Sequence, residues 1–448
     1  MKPLGRPPGP RGRPFLGHLP EFRRQPAEFL LELARTYGDI AYFKAGPRHI
    51  YLLNRPDFIQ DVLVNGHRSF TKSLVLQRAK RLLGEGLLTS EGDFHLRQRR
   101  LVQPMFYRER LESYAATMSE CARATAERWQ PGETRDIADE MMRLTLAIVG
   151  RTLFSRDVEH EASDIGRALT DVLGTFDTLM LPFSSAIQKL PLPRFVRARR
   201  ALKFLDATIY RMISERRESG ADVGDLLSML LLSVDEEGSG GMTDRQVRDE
   251  AITLFLAGHE TTATALTWTL YLLSQNPEAE QQMRAELSDV LGERSPAYDD
   301  LPNLRYTEMV FAEALRLYPP AWTVGRMTKT DTRIYNYEVP RGAICLLSPF
   351  VMHRHPRYYP EPERFDPLRF TPEAKQTRPK FAYFPFGGGP RVCIGERFAW
   401  MEGVLVLATL AQRWKFSLVP GQKIETHPQI TLRTRYGLKM TVQPANAR

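Results

Sequence analysis

The chain has 448 residues, a formal net charge of +9, and 42% hydrophobic and 26% charged residues. This composition is that of an ordinary globular protein, and no stretch reaches the roughly 18 consecutive apolar residues that a membrane span needs. The N-terminus lacks the apolar core of a signal peptide, so we expect a cytoplasmic protein without a membrane anchor. The three cysteines are too few and too scattered for a disulfide framework. No nucleic-acid-binding motif accompanies the positive charge, so no nucleic-acid partner is expected.

The N-terminal half of the chain predicts a leader, a hairpin and then helices. Residues 1–25 are rich in Pro, Gly and Arg, and we expect an extended leader rather than a helix. Two strands are predicted over 41–44 and 49–53, joined by a turn at Gly46 and Pro47. Apolar residues then recur at spacings of three and four as far as Pro277. This spacing predicts helices that include 109–129, 137–154, 198–217 and 243–275, with a loop over 178–195 and a short glycine-rich linker at 237–241.

The pattern changes after Pro320 to short strands and loops. Strands are predicted over 332–339, 343–347, 429–433 and 437–442, with a proline-rich irregular run over 355–385 and one more helix near 396–413. Helical bulk with strands at both ends predicts a mainly α protein with small β-sheets, an α+β fold. Since no linker is long enough to separate domains, we expect residues 26–448 to form a single domain.

A glycine-rich loop precedes the last predicted helix and contains Cys393. It reads FGGGPRVCIG over residues 386–395. Consecutive glycines let a backbone approach a flat group and adopt angles closed to other residues. A cysteine just before a helix N-terminus is stabilised as a thiolate, because unpaired N–H groups and the helix dipole favour an anion. Cys393, with Arg391 two residues away, is therefore a candidate metal ligand, whereas Cys121 and Cys345 are expected to be buried filling.

The longest predicted helix carries polar residues in its middle. Thr243 and Gln246 form a capping box at its start, and Pro277 marks its exit. Its centre reads AGHETT over residues 257–262, between flanks that are mostly apolar. A glycine, an acid and two threonines weaken such a helix, and an acid among apolar turns is costly unless it is hydrated or paired. Departures of this kind are typical of functional sites.

Both segments resemble the signatures of the cytochrome P450 family. The loop matches the haem-binding pattern F-x-x-G-x-R-x-C-x-G at every defined position, which are Phe386, Gly389, Arg391, Cys393 and Gly395. The resemblance implies a haem b cofactor (iron protoporphyrin IX) with Cys393 as its proximal thiolate ligand and Phe386 as a shield for the sulfur. It also implies a cytochrome P450-like fold with a long central helix over the haem.

The central helix is similar to the oxygen-binding pattern of the same family, (A/G)-G-x-(D/E)-T-(T/S). By that resemblance Ala257 and Gly258 lie over the haem and leave room for dioxygen. Thr261 would steady the activated oxygen and the water that protonates it, and Glu260 would relay protons from solvent. His259 occupies the variable position and is not expected to be a ligand.

Two further elements are similar to those of the family. His95 and Arg99 share a helix face at i and i+4 and resemble the element W-x-x-x-R, with His in place of Trp. They would bind the haem propionates as charge-assisted donors, together with Arg391 and Arg326. The second element is structural: Glu313 and Arg316 resemble E-x-x-R, and Arg364 of a P-E-R-F element would complete a network with them.

The resemblance implies a monooxygenase that activates O2 reductively and hydroxylates a lipophilic small molecule, such as a fatty acid or terpenoid. Apolar segments near 70–88, 170–200, 320–324 and 434–436 would line the substrate pocket. The chain has no flavin, nicotinamide or iron–sulfur fingerprint, so electrons would come from a ferredoxin or flavodoxin-type donor with its reductase, docked on a basic surface. Two alternatives stay open: a haem-thiolate enzyme that uses peroxide or rearranges hydroperoxides, and a non-catalytic haem sensor.

Overall fold

The computed structural model describes residues 5–155, 159–181, 183–232 and 241–445. The helices of these residues, in chain order, are α1 (Leu19–Arg24), α2 (Pro26–Tyr37), α3 (Pro56–Gln60), α4 (Leu74–Leu83), α5 (Gly92–Val102), α6 (Arg108–Glu127), α7 (Ile137–Phe154), α8 (Glu159–Leu173), α9 (Ser184–Lys189), α10 (Pro193–Ser219), α11 (Leu226–Leu232), α12 (Asp244–Gln275), α13 (Pro277–Leu291), α14 (Arg305–Leu317), α15 (Pro349–Met352), α16 (Pro372–Gln376) and α17 (Glu396–Arg413).

The strands form small sheets. They are β1 (Ile40–Ala45), β2 (Arg48–Leu53), β3 (Phe70–Lys72), β4 (Thr134–Asp136), β5 (Val324–Thr328), β6 (Thr332–Ile334), β7 (Tyr337–Val339), β8 (Ile344–Leu347), β9 (Trp414–Leu418), β10 (Thr426–Pro428), β11 (Leu432–Thr434) and β12 (Lys439–Pro444). One sheet has the order β1-β2-β8-β5-β3, another the order β4-β12-β9, and β6-β7 and β10-β11 are two-stranded. The predicted mainly α fold with small sheets is confirmed.

The chain packs as two compact units that interleave along the sequence. The first unit comprises Met1–Leu74, Ala312–Cys393 and Thr426–Arg433, and it holds the five-stranded sheet. The second unit comprises Val75–Phe311, Ile394–Glu425 and Thr434–Arg448, and it holds most of the helices. The single domain expected over 26–448 stays a prediction.

The five-stranded sheet of the first unit is covered on both faces. Successive residues of β2 point to opposite sides of the sheet, as the period of a strand requires. Ile50 and Leu52 pack in one hydrophobic cluster with α2, and Tyr51 and Leu53 pack in a second cluster with α3. Strand β2 pairs antiparallel with β1 and parallel with β8. Because both of its faces are buried, a shift of one residue would exchange the two sets of apolar side chains, so the register of β2 is fixed.

Helix α12 is the centre of the second unit. It packs against α7, α10, α11, α13 and α17, and its side chains are buried on almost every face. A helix surrounded by others needs no polar face, which explains its weak amphipathicity. The predicted capping box is confirmed, since Thr243 Oγ1 accepts the Gln246 N–H at 3.3 Å and Gln246 Oε1 accepts the Thr243 N–H at 2.8 Å.

Most predicted elements are confirmed, and three expectations need correction. The 1–25 leader is not extended throughout, because α1 begins at Leu19, with Pro20 in its first turn and Phe22 buried. The loop expected over 178–195 contains α9 and the first turn of α10. The stretch 332–339 is a hairpin of two short strands rather than one. The predicted linker at 237–241 lies, apart from Gly241, outside the described residues.

None of the helices in the described ranges is long and apolar enough to cross a membrane.

Candidate active site

The loop before α17 carries Cys393. Cys393 is exposed, whereas Cys121 and Cys345 are buried, as expected for filling residues. Burial raises the pKa of the Cys345 thiol to about 12, so this group is inert as a nucleophile or ligand near neutral pH. The N–H of Cys393 donates to the Phe386 carbonyl at 3.0 Å, which closes the loop on itself. Helix α17 begins three residues later, and its N-cap residue Gly395 adds no side-chain cap.

Two glycines of this loop adopt left-handed backbone angles for different reasons. Gly387 has φ +74° and Gly389 has φ +67°. A Cβ atom at Gly387 would meet no heavy atom within 4 Å, so only the angle favours glycine there. A Cβ atom at Gly389 would collide with the Leu63 carbonyl oxygen, which lies on the segment after α3. The loop therefore rests directly on a neighbouring backbone at Gly389.

We expect Gly389→Ala to be far more damaging than Gly387→Ala. Both substitutions incur a left-handed strain of about 1–2 kcal/mol. Gly389→Ala adds an overpacking cost of about 1–3 kcal/mol, because the Leu63 backbone must move. The midpoints of denaturant unfolding of the two variants measure the difference. Equal effects of the two variants would show that the close approach at Gly389 does not set the loop.

The two arginines of the first unit that were predicted to bind the haem propionates lie in different elements. Arg391 is half-buried and ends the short turn Gly389–Arg391 of the cysteine loop. Arg326 lies in β5, paired with Lys72 of β3 and with Cys345 of β8. Its Nη1 donates to the Gly325 carbonyl at 3.1 Å, and the side chain is half-buried. Both residues are half-buried.

The centre of α12 interrupts an otherwise buried helix. Ala257 is exposed, and Gly258 and Thr261 are half-buried, whereas the residues on either side are buried. The Thr261 hydroxyl donates to the Ala257 carbonyl at 2.6 Å, so the predicted oxygen-side residues share one turn. Glu260 is 2% exposed and lies on the same turn. Accessible surface in the middle of a core helix indicates space for a bound group.

Helix α7 packs closely against this turn. The Thr145 hydroxyl donates to the His259 carbonyl at 3.0 Å. A Cβ atom at Gly258 would lie 3.1 Å from the Val149 side chain, which is tighter than ordinary van der Waals contact. Glycine at 258 thus favours the close packing of α7, a reason for glycine that the sequence pattern did not reveal. His259 is itself buried.

Helix α5 carries the second predicted group of the second unit. His95 is 4% exposed and Arg99 is half-buried, one turn apart on the same helix. Arg97 is half-buried and Arg100 is exposed. His95 and Arg99 therefore share one face of α5, as their spacing predicts, and the exposed Arg100 lies on another face.

The structural network predicted around Glu313 and Arg316 is present, with one correction. Both side chains are fully buried and joined by two hydrogen bonds of 2.6 and 2.8 Å. Arg316 also donates to the carbonyls of His353, Pro362 and Arg364 at 2.9, 2.6 and 3.0 Å. Arg364 joins the network through its carbonyl and not through its side chain, which pairs with Glu361 at the surface; the guanidinium that reaches Glu313, at 3.5 Å, is that of Arg369.

Two segments expected to line a substrate pocket contribute core side chains. Trp322 belongs to the cluster around α2, and its Nε1 donates to the Gln429 carbonyl at 2.9 Å. Phe176 and Leu179 are 5% and 2% exposed. Arg78 of α4 donates to the Leu179 and Leu181 carbonyls at 2.6 and 2.9 Å, which ties two of the predicted segments together.

Comparison with known proteins places this geometry in a family. The family model described as cytochrome P450 matches residues 7–442. The chain is 41% identical to cyclooctatin synthase of Streptomyces melanosporofaciens over 97% of its own length and 95% of that protein. It is 39% identical to cyclooctat-9-en-7-ol 5-monooxygenase of the same species, over 92% and 90% of the two chains. It is 38% identical to pentalenene oxygenase of Streptomyces avermitilis, over 92% and 91%. The chain therefore belongs to the cytochrome P450 family of haem-thiolate monooxygenases.

Proposed function

We propose that Cys393 ligates a haem b and that the enzyme hydroxylates a terpenoid. The exposed thiol in a loop set by Gly389 is the observation that carries the proposal. The residues present fit the group: a soft thiolate donor is available, the loop has no side chains at three successive positions, and Ala257 leaves open surface in a core helix. When bound, a thiolate-ligated haem supplies the electron density that favours cleavage of the O–O bond.

Four basic side chains and one aromatic residue would hold and shield the cofactor. His95 and Arg99 on α5, Arg391 in the cysteine loop and Arg326 on β5 would donate to the propionates. Phe386 would cover the sulfur, and its carbonyl already anchors the Cys393 N–H.

The substrate class rests on the relatives. Two of the three Streptomyces relatives are named for cyclooctat-9-en-7-ol and for pentalenene. Among the lipophilic substrates that the sequence left open, these names favour a terpenoid over a fatty acid. A pocket for such a substrate is lined mainly by apolar side chains, and a few polar groups are enough to fix the orientation of the substrate.

The family draws electrons from redox partners, and we propose a ferredoxin or flavodoxin-type donor with its reductase. The formal net charge of +9 and the basic residues Arg97 and Arg100 support docking of an acidic protein. We also propose that the enzyme is cytoplasmic, because such donors are reduced there and cysteines that form no disulfide bond persist there.

Thr261→Ala tests the proton-delivery half of the proposal. We expect the variant to retain its haem spectrum, while product per electron falls on the order of 10-fold or more and hydrogen peroxide rises, since a placed proton donor is lost. Cyclooctat-9-en-7-ol and pentalenene serve as probe substrates, with a surrogate ferredoxin and reductase. Product, electrons consumed and peroxide released are measured together.

Thr267→Ala is the matched control. Its hydroxyl makes the same bond to the carbonyl four residues back, to Ala263 at 2.7 Å, but is buried. This variant should stay coupled. A fully coupled Thr261→Ala would overturn the role of Thr261 and leave that of Cys393 intact. Product formation from peroxide alone, without electrons, would favour the peroxide-using alternative.

A further inference from the structure

The loop between α4 and α5 contains a closed turn. The Thr89 N–H donates to the Gly86 carbonyl at 3.0 Å, and the Thr89 hydroxyl donates to the Gly84 carbonyl at 2.6 Å. Leu87 and Leu88 are the two central residues of this turn, so its closing bond does not use their N–H groups. Leu87 is buried, whereas Leu88 is half-buried. The buried Leu87 N–H therefore needs an acceptor outside the turn.

Helix α12 supplies that acceptor. The Leu87 N–H donates to Glu250 Oε2 at 3.0 Å, and Glu250 is 1% exposed. Gly86 rests on the same helix, since a Cβ atom there would collide with the Thr253 hydroxyl and the Asp249 carbonyl oxygen. A carboxylate that accepts a backbone N–H makes a charge-assisted bond, which is stronger than a bond between neutral groups. Glu250 therefore holds the centre of the turn against α12.

The start of the same loop is held by a second carboxylate of α12. Asp249 Oδ2 accepts the Glu85 N–H at 2.8 Å, and Asp249 Oδ1 accepts from Arg248 Nη1 at 2.8 Å. Arg248 also donates to the Leu83 carbonyl at 3.3 Å and to Asp206 of α10 at 2.8 Å. Because the start of the loop has these anchors of its own, loss of the Glu250 carboxylate should release the turn and leave the rest of the loop in place.

Glu250 lies on the face of α12 that carries the proposed oxygen-side residues. Ala257 and Thr261 follow Glu250 at spacings that return to the same side of a helix with 3.6 residues per turn. Ala257 is exposed and Thr261 is half-buried, and Ala257 lies roughly 10 Å along the helix from Glu250 at 1.5 Å per residue. Thr253, which Gly86 touches, is one turn closer to Ala257. The turn with Leu88 therefore lies beside the open surface at Ala257.

We propose that Glu250 is a positioning residue that places Leu88 at the edge of the space over Ala257, and that it thereby sets the size of the group that fits there. Glu250 acts through the Leu87 N–H and not by contact with the substrate. The proposal rests on the proposed function, because it concerns the space in which a lipophilic substrate would meet the haem. Loss of the bond would let the turn move away from α12 and would enlarge that space.

The test compares two ligands of haem iron, imidazole and the bulkier 4-phenylimidazole, by spectral titration of the haem-loaded protein. The ratio of their dissociation constants reports the size of the apolar space and requires no turnover. Leu88→Ala should change this ratio by about 10-fold in favour of the bulkier ligand. Glu250→Leu should change it in the same direction, and Leu88→Ala should then add little in the Glu250→Leu background. Glu250→Gln should keep the wild-type ratio, because its amide oxygen still accepts the Leu87 N–H.

Hydrogen exchange of the Leu87 amide in the same proteins measures the hold itself. The amide should be protected in the wild type and in Glu250→Gln. Glu250→Leu should lower its protection on the order of 10-fold, which corresponds to the loss of one hydrogen bond.

Glu286→Leu is the matched control. Glu286 of α13 is half-buried, and its carboxylate accepts the Tyr306 and Thr307 N–H groups at 2.6 and 2.8 Å. This variant loses the same kind of bond at the start of another helix, so it should lose stability and keep the wild-type ratio. The same change of ratio in this control would mean that the effect of Glu250→Leu is a general loss of stability, and would overturn the proposal.

Additive effects of Glu250→Leu and Leu88→Ala would also overturn it, because Glu250 would then not act through Leu88. If Glu250→Leu does not fold, an unprotected Leu87 amide in the wild type or an unchanged ratio in Leu88→Ala would have the same force. A wild type without any spectral shift on addition of imidazole would instead refute the haem function, and the exchange of the Leu87 amide would still decide whether Glu250 holds the turn.

Discussion

Replacement of Cys393 with serine should remove the red-shifted Soret band of the reduced carbonyl complex and abolish monooxygenase turnover. The band and the electron donation both require a thiolate, and a serine hydroxyl remains protonated and neutral near neutral pH. Cys393 is the exposed cysteine of the chain, in a loop whose Phe386 carbonyl and Gly389 fix its position. The expected effect is complete loss of product, because Cys393 is the proposed ligand.

The matched control for this variant is Cys345→Ala. Cys345 has no exposed surface and lies in β8, so its removal should cost some stability and leave the carbonyl spectrum unchanged. Absorption spectra of the reduced carbonyl complexes, with haem content measured separately, decide the comparison. If the Cys393→Ser protein kept an unchanged band, Cys393 would not be the haem ligand.

Glu313→Gln should cause the largest loss of stability among single polar substitutions considered for this chain. The Glu313–Arg316 pair is fully buried, and Arg316 is also bonded to three carbonyl groups. Removal of the carboxylate charge leaves the guanidinium uncompensated in the core, which costs about 3–5 kcal/mol. A glutamine oxygen can still accept the Asp366 N–H, which donates to Glu313 at 2.9 Å, but an amide NH2 group then replaces one of the two carboxylate oxygens that accept from Arg316. Denaturant unfolding of the purified protein measures the change.

Glu361→Gln is the control for that prediction. Glu361 pairs with Arg364 at the same i, i+3 spacing, but both side chains are well exposed. An exposed pair contributes about 0–1 kcal/mol, so this variant should unfold close to the wild type. Similar losses in the two variants would mean that burial of the Glu313–Arg316 pair does not govern its contribution.

The elements nearest the proposed site could be predicted from sequence because their signals are local. The capping residues Thr243 and Gln246 gave the start of α12, and Pro277 gave its end. The glycine-rich run before residue 396 gave both the cysteine loop and the start of α17. Likewise, a glycine turn between two alternating segments gave the first hairpin. Each signal depends on neighbours within a few residues.

Other features depend on contacts between distant segments. Strand β5 was missed because its five residues are held by β3 and β8, which are far away in sequence. Arg364 and Arg369 differ in role because one points to Glu361 at the surface and the other to Glu313, which spacing alone does not determine. Glu250 has the sequence context of any helical glutamate, and only its burial and its bond from the Leu87 N–H distinguish it.

Incubation with isotope-labelled dioxygen tests the monooxygenase assignment most directly. The haem-loaded protein, a surrogate ferredoxin system and cyclooctat-9-en-7-ol or pentalenene are combined, with Cys393→Ser as the blank, and the product is analysed by mass spectrometry. The account predicts a hydroxylated product that carries a single oxygen atom from the labelled gas, dependent on electrons and missing from the blank. A product whose new oxygen comes from water, or one that forms equally with Cys393→Ser, would contradict it.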